Sequence, residues 1–93
     1  MDTAEARAVA AVRLGELRIV PFAELKARFL DPERQETGDV VAPSGARYQV
    51  EALAVQEGEN LRVMVSVDDG GWRSFAPVSD DFIVTPDGTF VGE

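Results

Sequence analysis

The sequence predicts an α+β domain, with N-terminal helices packed on one face of an antiparallel β-meander of about four strands. Three observations predict it. Good helix formers (Ala, Leu, Arg, Glu) enrich the chain from Thr3 to about Val20. Ten of the thirteen valines lie beyond residue 36, where the apolar period becomes two, as strands require. Turn signals recur in that half at "PSG" (Pro43), "EGEN" (Glu57), "DDGG" (Asp68) and "PDG" (Pro86). Helices followed by strands define the α+β class, and residues 1–93 suit one domain.

A first helix is expected from Thr3 to about Val20, with Gly15 as its weak point. Pro21 interrupts it but is tolerated in the first turn of a second helix, where its missing N–H costs nothing. In "PFAELKARFL" the residues Phe22, Leu25 and Phe29 form one stripe, and Glu24 and Arg28 are spaced as an i,i+4 ion pair on another face. Pro32 disfavours helical geometry at Asp31, so this helix should stop near Leu30. The polar "ERQETGD" reads as a loop.

Strand register follows from the turns. A turn at Gly58-Glu59 sets Gln56 opposite Leu61, and a turn within "DDGG" sets Val67 opposite Trp72. One face then carries Val50–Val67–Trp72, Ala52–Val65–Ser74 and Ala54–Val63–Ala76, with Tyr48 adding bulk at one end. Its small middle residues let helices approach, so Phe22, Leu25 and Phe29 should cover it. The opposite face carries Glu51–Ser66–Arg73, Leu53–Met64–Phe75 and Val55–Arg62–Pro77. Leu53, Met64 and Phe75 form an apolar band flanked by Glu51, Arg62 and Arg73, the composition of a protein contact site. A bland alternative has the N-terminal helix, or Phe82, Ile83 and Phe90, folded over that face.

Charge is uneven: residues 1–36 carry seven acids and six bases, residues 37–93 ten acids and three bases. An acidic second half repels nucleic-acid backbones and anionic membranes, so neither is an expected partner. The longest apolar run, Ala8 to Val12, is far too short to span a bilayer, and the N-terminal residues lack a secretory pattern. A cytoplasmic location is the expectation. With no His and no Cys, the usual triads, zinc sites and thiol nucleophiles are excluded, and no phosphate-cradling or G-x-S-x-G motif is present. An enzyme is not expected, nor a cofactor. Asp68 and Asp69 read most simply as turn residues, adjacent positions that point to opposite faces and make joint chelation awkward, and Asp80 and Asp81 read as a turn or cap before "FIV".

The C-terminal run "VMVSVDDGGWRSFAPVSDDFIVTPDGTFVGE" resembles the closing segment of small uncharacterised bacterial domains of unknown function. The resemblance covers roughly the last third of the chain and implies no catalytic residues. The expected function is therefore a non-catalytic interaction module of a regulatory or immunity type. It would bind a protein partner, or a second copy with Arg73 near Glu51 across a two-fold axis. Two alternatives stand beside it. The Asp-rich loops (Asp68, Asp69, Asp80, Asp81) would hold a small ligand or divalent cation, or the acidic half would mimic nucleic acid toward a basic protein.

Overall fold

The computed structural model describes residues 2–32, 34–70 and 77–93. Helix α1 spans Thr3–Arg18 and α2 spans Phe22–Phe29. Strands β1 (Glu36–Val41), β2 (Arg47–Glu57), β3 (Asn60–Asp68) and β4 (Val78–Val84) follow and form one antiparallel sheet in the order β1-β2-β3-β4. The α+β class predicted from sequence is the one observed.

Asp2 caps α1, its carboxylate accepting from the Glu5 N–H at 3.1 Å, and Glu5 and Arg18 complement the helix dipole at the two ends. Ala6, Ala10, Leu14 and Leu17 are buried, so one stripe faces the sheet while Gly15 lies on the outside. Pro21 is the N-cap of α2, which buries Leu25 and Phe29 and stops before Leu30, as expected from Pro32. Helix α1 lies over β3 and β4, and α2 over β2. Both helices therefore occupy one face.

That face is the predicted one. Val50, Ala52, Ala54, Leu61, Val63, Val65 and Val67 are all buried beneath the helices, with Tyr48, Phe82 and Val84. Each fully buried Val or Leu contributes roughly 1.5–3 kcal/mol of transfer free energy. The β2–β3 hairpin has the expected register, with Gln56 opposite Leu61, Ala52 opposite Val65 and Leu53 opposite Met64. Its turn has positive φ at Gly58 (59°) and not at Glu59, the pattern of a type II′ turn.

Three expectations need correction. First, β3 has a different neighbour from the one expected after the "DDGG" turn. Its free edge is taken by β4, with Val67 opposite Val78, Met64 opposite Asp81 and Arg62 opposite Ile83. Trp72, Arg73, Ser74, Phe75 and Ala76 lie outside the described residues. Two physical reasons favour β4: it buries Phe82 and Val84 against the helices, and Pro77, which has no N–H for a ladder, is left at the strand's entrance. Second, Asp80 and Asp81 belong to this strand and do not cap a turn. Third, β1 begins inside the polar segment read as a loop, taking Glu36 to Asp39 from it. This edge strand is almost wholly exposed, so burial imposed no alternation on its sequence.

The C-terminal residues return to the far edge of the sheet. Phe90 bridges to Val84, the Val91 N–H donates to the Ile83 carbonyl at 2.9 Å, and Phe90 meets Phe82 edge-on at 5.4 Å. The Arg18 guanidinium stacks over both rings and pairs with Glu93 at 2.7 Å. Phe82 and Phe90 thus belong to the helical side. Of the three residues that could have folded over the other face, only Ile83 points there.

Candidate functional site: the open sheet face and the slot beside β1

Strand parity places Glu51–Ser66–Ser79, Leu53–Met64–Asp81 and Val55–Arg62–Ile83 on the face opposite the helices. Leu53, Met64 and Ile83 are half-buried by their neighbours, and Val55 is exposed. Four apolar side chains therefore form a patch in the middle of a polar face. Of the six sequence-predicted site residues, Glu51, Leu53, Arg62 and Met64 are brought together here; Arg73 and Phe75 fall outside the described residues. Asp81 stands beside Met64, in the row assigned to Phe75 from sequence.

Arg62 is held in place by its neighbours. Its Nε donates to Glu57 Oε1 at 2.6 Å, and a terminal nitrogen donates to Asp81 Oδ2. These hydrogen bonds, Glu57 first and Asp81 second, raise its pKa above the usual arginine value. Ser66 and Ser79 share a hydrogen bond at 3.0 Å. The rim is thus a fixed array of donors and acceptors around an apolar centre.

The aspartates proposed for a cation do not gather. Asp68 Oδ1 accepts from the Gly70 N–H at 2.7 Å, Asp80 Oδ1 accepts from the Asp81 N–H at 2.8 Å, and Asp81 is committed to Arg62. Among the described residues no group of three or more carboxylates is placed to hold a metal ion.

A second feature lies on the helical side. Because α1 sits over β3 and β4 and α2 over β2, β1 extends the sheet past the helices. Between α1 and β1 runs an open slot of about 600 Å³. Ala8, Val9 and Val12 form one wall, Gly38 and Val40 the other, with Val50 between them. Val12 is 66% exposed and Val40 38%.

Polar ties close both ends of this slot. At one end Glu5 Oε1 accepts from the Ser44 hydroxyl at 2.7 Å and from the Tyr48 hydroxyl at 2.8 Å. The Glu5 hydrogen bond, then burial, push the Tyr48 phenol up to about 12. At the other end Glu36 accepts from Arg28 at 2.6 and 3.1 Å and from Arg13 at 2.8 Å. The hydrogen bond from Arg28 leads the effects that hold the Glu36 carboxyl below its ordinary value. Sequence reading missed the slot because β1 was not recognised; the pair Val40-Val41 after a polar run was the available signal.

Comparison of the chain with protein-family models, curated proteins and solved structures finds no match.

Proposed function

We propose that this chain is a non-catalytic protein-interaction module that docks through its helix-free sheet face, centred on Leu53 and Met64. One observation carries the reading: both helices cover the same side of the sheet, and the other side presents Leu53, Met64, Val55 and Ile83 inside a polar rim of Glu51, Glu57, Arg62 and Asp81. An apolar centre with a charged, hydrogen-bonding surround is how protein contact sites are built. Half-exposed Met adapts to a partner's shape at little cost. The occupant is a partner protein or a second copy of the chain.

The test pairs two experiments. Sedimentation equilibrium reports self-association of the wild type and of Met64→Lys and Leu53→Lys. Parallel affinity capture from the native host uses the same three proteins as baits. The reading expects either a dimer or a captured partner that both substitutions abolish. A strict monomer whose captured proteins are identical for all three baits would overturn it.

A further inference from the structure

The slot between α1 and β1 has a chemistry of its own, and it lies on the opposite side of the sheet from Leu53 and Met64. We propose that it is a second docking site, taking an extended basic-apolar peptide segment of a partner protein. The segment adds to β1 as a fifth strand and places an apolar side chain beside Gly38.

Three observations on different physical grounds support this. The first is backbone valence. Among the described residues strand β1 is a sheet edge that pairs with β2 alone, whereas the C-terminal residues bond to the opposite edge at Ile83 and Val84. Sheet edges are usually guarded by lysine, proline or a bulge, and Glu36–Val41 contains neither lysine nor proline. An extended peptide satisfies such an edge through main-chain hydrogen bonds and gains specificity from every second side chain.

The second is shape. Gly38 pairs with the buried Val50, so its missing side chain would point toward the helices. A Cβ built there meets nothing within 4 Å. A residue on an added strand at that row stands about 5 Å away and faces the same side, toward Val9 and Val12. The polar ties at Glu5 and Glu36 hold α1 and β1 apart at a fixed spacing, so the space is open before anything enters.

The third is charge. The slot carries the carboxylates of Glu5, Glu16 and Glu36 on its helix-facing side, against the guanidiniums of Arg13 and Arg28 that pair with Glu16 and Glu36, an excess of one negative charge. The whole chain carries a net charge of −8. That field attracts Lys- or Arg-bearing segments and disfavours both a fatty-acid-like anion and a second copy of the chain.

The experiment is a titration of the full, ¹⁵N-labelled chain with a short peptide alternating lysine with valine and leucine. A counterpart with glutamate replacing lysine serves as control. The lysine peptide is expected to saturate, with amide shifts concentrated on Glu36–Val41 and on Ala8, Val9 and Val12. Gly38→Leu, which fills the slot, and Val12→Lys, which charges its wall, are each expected to weaken binding by about ten-fold or more. Met64→Lys should leave it unchanged, which separates this site from the open face. Far-ultraviolet dichroism confirms that each variant keeps its fold. The proposal is overturned by absence of saturable binding, by shifts centred on Leu53 and Met64, or by equal binding of the glutamate peptide. Wild-type affinity in both slot variants, or self-association through β1 without peptide, would overturn it as well.

Discussion

The Tyr48 hydroxyl donates to Glu5 Oε1 at 2.8 Å, fastening the first turn of α1 to strand β2 from the buried side of the sheet. The same oxygen accepts from Ser44 in the β1–β2 turn, so one carboxylate gathers three elements. This bond sets a test at high pH. The folded-state pKa of Tyr48 is about 12 against an ordinary 10.0. The folded protein therefore holds this proton more tightly than the unfolded chain does. The stabilisation is complete below pH 10 and is lost as pH rises toward 12. Tyr48 is the only tyrosine and the one tryptophan does not ionise, so the pH-dependent change in near-ultraviolet absorbance reports Tyr48 alone. Tyrosinate formation should be displaced well above the ordinary midpoint, and Tyr48→Phe should be less stable at neutral pH.

Glu36 gives the acid-side counterpart. Its pKa lies below the ordinary 4.5, led by the Arg28 hydrogen bond. Its contribution is fully present above about pH 4.5 and is lost as pH falls further, because the unfolded chain then binds the proton first. Glu36→Gln should cost about 1 kcal/mol at neutral pH, since the pair is solvent-screened. Urea unfolding at a series of pH values should show wild type and variant converging as the medium becomes acidic.

Gly15 offers a gain. It sits on the outer face of α1, and an added Cβ meets nothing within 4 Å. Gly15→Ala removes unfolded-state freedom without a new contact and should stabilise by about 0.5–1 kcal/mol in urea unfolding. An unchanged or lower midpoint would place Gly15 against something.

Legibility followed burial. The β2–β3 hairpin could be read because its apolar residues alternate between a buried and a half-buried face, and Gly58 permits only a tight turn between them. The α2 stripe could be read because Phe22, Leu25 and Phe29 meet the core at helical spacing. Strand β1 could not, since five of its six residues are exposed and carry no period. The partner of β3 was misassigned because "DDGG" is a valid turn signal, whereas the choice of Val78–Val84 depends on burying Phe82 under α1, a long-range gain that no local pattern encodes. The same limit applied to the sites. Leu53 and Met64 follow from hairpin parity, but the slot arises from where α1 sits, which is a packing outcome.

Everything proposed for the open face depends on which of two adjacent residues is turned from the helices. Thermal unfolding of Met64→Lys beside Val65→Lys measures this. Met64 is half-buried on the open face and Val65 is fully buried beneath the helices. Met64→Lys should retain one cooperative transition, lowered by no more than roughly 8 °C. Val65→Lys should lose it, because an unpaired charge under the helices costs several kcal/mol of a marginal stability. A folded Val65→Lys beside an unfolded Met64→Lys would contradict the assignment of faces and the docking surface with it.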